Sequence, residues 1–416
     1  MTKIFFYLYL GIFVFLALPV IKLGPARVEQ LLVLSTFVLL LYDDYMKREL
    51  DLTISVIMIA FAMILALVSL NSDYPKVDEK GYFIKFLFLY PASFYVGMRV
   101  MSKMSIDTLI KAIDYSLWFY VISWFIVMYV PVPMPILSKV IHIRDFGYGG
   151  EFLPLQGTFY EAAGVGIIVG TMLLISMMIR YEFDIWTKNK NYTYLLYLLS
   201  FYMLFFSKNK TVWLAYILIL FFFSIYKGYV ILAQSSYYSP THYLQSHKTL
   251  SRFLKINTTY LVFGGVVLLL SLAIYNTFAT HPFITMREFK YKMAHERGAQ
   301  FSISWDLISK SNYFGGYGLG FVEVYFEGKN VLGVGKGAGS INNILLDIWL
   351  QGSILGVIYL LWLFAISFSR RYFVTIAIPV FLFFFGLTNP IVAEEFFMFL
   401  GLSYSLKRAK HEPKYI

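Results

Sequence analysis

Residues 278–340 form a long polar stretch between apolar stretches of the chain, and they carry side chains suited to chemistry. From 281 to 340 there are seven basic and five acidic residues. Arginine and lysine make their strongest hydrogen bonds to phosphate and carboxylate groups. These cations therefore favour an anionic substrate such as a diphosphate, with Arg287 and Arg297 as the candidate contacts.

Two shorter polar clusters add to this set. Residues 131–161 contain Arg144 and end at Glu161, in a Gly-x-Phe-x-Glu pattern that precedes an apolar stretch. Residues 207–211 contain Lys208 and Lys210 between two apolar stretches. The competing interpretations are a carboxylate that supports the start of a helix and two lysines that reach the lipid headgroups. On the functional interpretation, Glu161 is the first candidate for a general base, and Glu323 and His295 are the next.

The glycine-rich run Gly315–Gly320 favours a tight turn and a close backbone approach over a nucleotide site. No Lys-Ser or Lys-Thr pair follows the run, as a phosphate-binding loop requires. The six histidines are scattered, and there is no cysteine. We therefore expect no metal and no other cofactor.

The composition is that of an all-α polytopic membrane protein. Hydrophobic residues make up 59% of the chain and charged residues only 14%, against about 25% charged residues in soluble domains. Apolar windows of about twenty residues favour helices over the shorter strands of a barrel. The net charge of +11 is explained by basic residues that set topology. We therefore expect no nucleic acid as a partner.

Hydropathy predicts a single transmembrane domain over 1–416 with about twelve helices. The basic residues place both termini in the cytoplasm. This orientation puts 131–161 and the large loop 278–341 outside, and 227–257 inside. The predicted spans are about 4–21, 29–42, 52–70, 82–98, 110–130, 162–179, 192–206, 211–226, 258–277, 342–368, 372–388 and 391–405. Within the tenth, 342–351 is expected to be an entry segment, with the true span beginning near Gly352.

Four stretches, in this order, resemble the bacterial O-antigen polymerase and ligase superfamily. They are Gly157–Glu161, the hinge Ser207–Thr211, Trp305 followed by Gly316–Phe321, and Asn342–Asn343 followed by Gly352 and Gly356. The spacing from Arg287 to Gly298 adds a weaker similarity. Ligases of this superfamily have a histidine where this chain has Asn342, and asparagine cannot accept a proton as imidazole does. The resemblance therefore favours a polymerase.

This resemblance implies a fold like that of the membrane-embedded glycosyltransferases, in the bacterial inner membrane with the active site facing the periplasm. The implied substrate is an undecaprenyl-diphosphate-linked oligosaccharide, and the other implied partners are membrane lipid and a chain-length regulator protein. Lys210, Arg287, Arg297, Arg144, Lys208, Trp305, Asn342 and Asn343 are the candidate substrate contacts. The alternatives are a ligase or another lipid-linked glycan transferase and, from a different class, a flippase for polysaccharide units.

Overall fold

The structure is a computed structural model of the 416-residue chain. It describes residues 2–18, 21–23, 26–72, 79–130, 162–183, 185, 190–207, 211–223, 294–295, 297–312, 314–327, 341, 343–369, 372–387 and 393–407.

The described part is mostly helical, which confirms the predicted all-α class. Its one sheet is the antiparallel hairpin of β1 (Lys22–Leu23) and β2 (Ala26–Arg27). A π-helical turn, Lys85–Leu89, joins α4 to α5. The helices are α1 (Thr2–Leu16), α2 (Val28–Lys47), α3 (Thr53–Leu70), α4 (Glu79–Ile84), α5 (Tyr90–Lys103), α6 (Ile106–Tyr129), α7 (Ala162–Phe183), α8 (Lys190–Phe206), α9 (Thr211–Phe223), α10 (Arg297–Lys310), α11 (Phe321–Glu327), α12 (Ile344–Ser367), α13 (Val374–Gly386) and α14 (Glu394–Leu406).

Several of these helices are long and apolar enough to cross a membrane. Within the described residues, five stretches meet this condition: Thr53–Leu70, Lys80–Lys103, Ile106–Val127, Gly164–Phe183 and Ile344–Ser367. A span needs about twenty predominantly apolar residues. The chain is therefore assigned to the membrane proteins, as the sequence predicts.

The predicted helix positions agree with the described elements. Each predicted span other than 258–277 overlaps a described helix, and 82–98 overlaps α4, the π-helical turn and α5. The stretches 131–161, 227–257 and 258–277 lie outside the described residues. The predicted loop 278–341 is described only in part. That part contains two helices, α10 and α11, that hydropathy did not predict.

The closest helix contact in the described core is between α5 and α14, and it depends on two glycines. A methyl group on Gly97 would collide with the backbone carbonyl of Met398, and one on Gly401 would collide with that of Phe94. Small residues allow helix backbones to approach in this way, which is how helices pack tightly when lipid surrounds them. The first residue of α14, Glu394, lies beside Arg27 and Gln30 at the start of α2.

The direction in which neighbouring helices pack gives the described residues two distinct ends. Helices α3 and α12 are antiparallel, because Gly352 lies against Leu65 while the rings of Tyr359 and Phe61 stack with their centroids 3.9 Å apart. The end of the bundle that carries residues 297–327 is called the loop end. The other is called the opposite end.

A buried ion cluster closes the opposite end. The Asp44 carboxylate accepts hydrogen bonds from Tyr95, Arg99 and Lys103, and Lys103 also pairs with Asp43. Burial alone would raise the pKa of Asp44, but the hydrogen bonds from Arg99 and Lys103 outweigh burial and lower it below the usual range. The cluster therefore joins α2 to α5 through buried ion pairs.

Replacing Asp44 with asparagine is expected to destabilise the protein by about 3–5 kcal/mol, because two buried cations lose their shared partner. The measurement is thermal unfolding in detergent, followed by fluorescence. Glu49→Gln is the matched control, since Glu49 also pairs with Arg99 but its side chain is 59% exposed. An exposed pair contributes at most about 1 kcal/mol. Equal shifts for the two variants would contradict the assignment of Asp44 as the centre of this cluster.

Candidate functional site

Helix α12 is interrupted at Ser353, and this break defines the loop end. Ser353 has φ 65° and ψ −173°, which separates a first half, 344–352, from the remainder of the helix. A positive φ is rare for a residue with a side chain and is costly unless the surroundings hold it. The break lies one residue after Gly352, in agreement with the predicted entry segment 342–351.

The polar stretch packs against this first half of α12. Trp305 on α10 meets Trp349 on α12 edge to face, with ring centroids 6.3 Å apart. A separate apolar cluster lies beneath these rings and joins α10, α11 and α12; its buried members are Leu307, Ile308, Tyr317, Phe321, Val322, Phe326, Ile341, Leu346 and Leu350. Burial of this apolar surface fixes residues 297–327 on the entry segment.

The glycine run makes the closest contact between these parts. The backbone N–H of Tyr317 donates to the carbonyl of Leu350, and that of Gly318 donates to Gln351. A methyl group on Gly316 would lie 2.5 Å from the Ser353 nitrogen. Gly318 and Gly320 have φ of 91° and 78°. These findings confirm the predicted tight turn and close backbone approach.

The same run also reaches α3. The backbone N–H of Leu319 donates to Ser69 Oγ over 2.7 Å, near the end of α3. The polar stretch is therefore anchored to two helices of the bundle at once.

Asn343 fixes the start of α12. Its Oδ1 accepts hydrogen bonds from the N–H groups of Leu345 and Leu346, each 3.1 Å long, as an N-cap residue does. Its Nδ2 donates to the carbonyl of Leu387 over 3.3 Å. Leu387, the residue that follows α13, therefore also lies at the loop end.

A buried carboxylate, Asp347, stabilises the entry segment one turn further on. It accepts hydrogen bonds from the Ile341 N–H at 3.2 Å and from Gln351 Nε2 at 3.0 Å. It is 1% exposed and forms no ion pair within the described part of the chain. The two hydrogen bonds tie the chain that enters α12 to the residues just before the break.

An arginine–carboxylate cluster, Arg27–Glu29–Gln30–Glu394, is the second polar feature of the loop end. Arg27 Nε lies 2.8 Å from Glu29 Oε1, Arg27 Nη2 pairs with Glu394 Oε1, and Gln30 Nε2 donates to the same Glu394 oxygen over 3.2 Å. Burial lowers the pKa of Arg27, but the carboxylates of Glu394 and Glu29 outweigh burial and raise it above its usual value. This cluster joins β2, α2 and α14.

Five of the predicted site residues lie in the described part, all in or beside the packed loop end. Arg297 begins α10 and is half-buried, Trp305 contacts α12, and Asn343 caps it. Glu323 lies half-buried in the first turn of α11, and His295 is exposed just before α10. The other predicted residues, Glu161, Arg144, Lys208, Lys210, Arg287 and Asn342, lie outside the described residues.

The sequence analysis missed Arg27, Glu29, Glu394 and Asp347. The three carboxylates all lie in the first turn of a helix, where the helix dipole favours negative charge. Glu161 was selected for the same reason, as an acidic residue at the predicted start of a helix. A search for acidic residues near the start of every predicted span would have found these three carboxylates as well. Within the described residues, no three His, Asp or Glu side chains gather as metal ligands.

No model of a known protein family matches this chain, and no curated protein matches its sequence.

Proposed function

We propose that the protein is a membrane-embedded glycosyltransferase that joins undecaprenyl-diphosphate-linked repeat units, as an O-antigen polymerase or a polymerase of a related surface polysaccharide. The donor is a growing glycan on its lipid diphosphate, and the acceptor is a hydroxyl of the next lipid-linked unit. The loop end of the bundle is the proposed reaction site, and it faces the periplasm.

The observation that carries this proposal is the packing of residues 297–327 on the entry segment of α12. Two of the four stretches that resemble the superfamily, Trp305 with Gly316–Phe321 and Asn343 with Gly352, are brought together at the break in α12. Residues 297–327 and the first half of α12 form one packed unit. This unit carries Arg297, Trp305 and Asn343. The start of α12 carries a partial positive charge, and Arg297 begins the helix that packs on α12, so both suit an anionic group at the membrane surface.

The chemistry requires cations because negative charge builds on the departing diphosphate. Lys210, Arg287 and Arg297 are the proposed contacts to that group, with Arg144 and Lys208 as further ones. Preorganised cations stabilise such charge most strongly where water is scarce. Trp305 is 45% exposed and packs with Phe301 and Trp349. The exposed part of its indole is the proposed contact surface for a sugar ring.

The proposed topology has twelve spans with both termini in the cytoplasm, in the bacterial inner membrane. The natural chain has no cysteine, so single cysteines can be introduced without background labelling. We expect Asn330→Cys to react with a membrane-impermeant maleimide while the inner membrane is intact. Ser236→Cys, in the predicted cytoplasmic loop 227–257, is the matched control and should react only after the membrane is opened. Labelling of the two positions in the reverse order would contradict the orientation.

Reconstitution tests the proposed activity itself. Purified protein in phospholipid vesicles is supplied with undecaprenyl-diphosphate-linked repeat units extracted from a strain that lacks the protein. We expect polymers of increasing length and release of undecaprenyl diphosphate in equal molar amount to the bonds formed. Repeat units that stay single with wild-type protein would contradict the polymerase.

A further inference from the structure

The arginine–carboxylate cluster has the geometry of an oriented proton acceptor. Glu394 Oε1 is fixed from two sides, by the guanidinium of Arg27 and by the carboxamide of Gln30. Both hydrogen bonds that the described part of the chain donates to Glu394 go to this one oxygen, Oε1, and not to Oε2. A carboxylate with one oxygen held and the other available is the arrangement expected of a general base.

The residues behind Glu394 are themselves fixed. Arg27 is held through Nε by Glu29, so its Nη2 is directed to Glu394. The Arg27 side chain is 32% exposed while those of Glu29 and Glu394 are 1% and 3% exposed. The cluster therefore lies just beneath the surface of the loop end, with the arginine at its rim.

The charge of the cluster is unbalanced. Glu29 and Glu394 share one guanidinium, and Glu29 Oε2 is buried without a hydrogen-bond partner. A buried anionic oxygen without a donor is costly. The unpaired Oε2 of Glu29 therefore marks a position at which an incoming hydrogen-bond donor would be stabilised.

The cluster lies at the same end as the proposed reaction site. Glu394 begins α14 and contacts Arg27 and Gln30 at the start of α2. Asp44, near the other end of α2, belongs to the ion cluster of the opposite end, so the start of α2 lies toward the loop end. Helix α14 is held against α5 by the glycine contact at Gly97 and Gly401.

We propose that Glu394 accepts the proton of the acceptor hydroxyl, and that Arg27, Gln30 and Glu29 position it; this assignment rests on the proposed polymerase function. The acceptor oxygen forms a bond to the anomeric carbon of the donor glycan as the bond from that carbon to the diphosphate oxygen breaks. The bonding electron pair leaves with the diphosphate, and the hydroxyl proton passes to Glu394 Oε2. This role replaces the one that the sequence analysis gave first to Glu161.

The test is initial-rate kinetics in the reconstituted vesicles with the extracted lipid-linked repeat units, normalised to folded protein. Glu394→Gln keeps the shape and the Oε1 acceptor but removes the basic oxygen. We expect kcat to fall by about 10²–10⁴-fold with KM nearly unchanged. Glu394→Asp keeps a carboxylate and should retain part of the rate. Asp43→Asn is the matched control, because it neutralises a buried carboxylate in the ion cluster of the opposite end, and it should leave kcat unchanged.

The positioning residues give a second measurement that a structural role would not move. Gln30→Ala removes a neutral donor from Glu394 without changing the charge of the cluster. We expect a lower kcat and a displaced acid limb in the pH dependence of kcat. If Glu394→Gln fails to fold, Gln30→Ala tests the assignment of Glu394 in its place. Wild-type kcat in folded Glu394→Gln, or an unchanged rate and pH dependence in Gln30→Ala, would overturn the assignment. Wild-type protein that makes no polymer would instead overturn the proposed function.

Discussion

Arg297→Ala, Arg287→Ala and Lys210→Ala are each expected to reduce the polymerisation rate by about 10²–10³-fold, at normal levels of folded protein. Each change removes one preorganised contact to the charge that develops on the departing diphosphate, and losses of this size are typical for such contacts. The measurement is initial polymer formation in vesicles, with the length distribution of surface polysaccharide in cells as a second measure.

Two control variants make this prediction specific. Lys210→Arg should retain much of the activity, because arginine takes this position in the superfamily that the chain resembles. Lys310→Ala removes a cation from the same helix as Arg297, but the Lys310 side chain is 66% exposed and bonded to Asp306, so the rate should not change. Wild-type ladders from both arginine variants would contradict the diphosphate contacts.

Gly316→Val is expected to release residues 297–327 from α12 and to abolish polymer formation while the bundle stays folded. The first side-chain carbon would lie 2.5 Å from the Ser353 nitrogen and 3.1 Å from Val68 Cγ1, and a helix backbone cannot yield as a side chain can. Overpacking of this kind costs about 1–3 kcal/mol or more. The measurement is limited proteolysis of the loop end in detergent, together with polymer formation.

The matched control for this contact is Gly315→Val. At Gly315 the added carbon would meet the side chain of Ser311, at the end of α10, and not α12. Gly315→Val should disturb residues 297–327 locally without releasing them from α12 at the break at Ser353. Equal protease sensitivity for the two variants would show that contact with α12 is not what holds residues 297–327.

The features that could be predicted from the sequence are those set by local composition. The length of the apolar stretches located the predicted spans. The glycine run predicted a close backbone approach, because few other residues tolerate such an approach. The entry segment before Gly352 was visible as a change in polarity within one long apolar stretch. Each of these signals lies within about twenty residues of the structure it specifies.

The arginine–carboxylate cluster could not be predicted in the same way. Arg27 and Glu394 are separated by 367 positions, and their pairing depends on the close approach of α14 to α5. Charge counting assigned Arg27 only to a short outside loop, since a single sequence does not show which helix ends are neighbours. The helices α10 and α11 were missed because they are stabilised by tertiary packing on α12, not by an apolar run of spanning length.

The decisive measurement for the polymerase is the ladder of surface polysaccharide from a strain that lacks the protein. We expect single repeat units attached to the lipid A core and no longer chains. The wild-type gene should restore a full ladder, and the Glu394→Gln variant should not. Long polymer retained on the lipid carrier would indicate a ligase. Absence of any repeat unit on the outer side would indicate a flippase, and either result would contradict the polymerase.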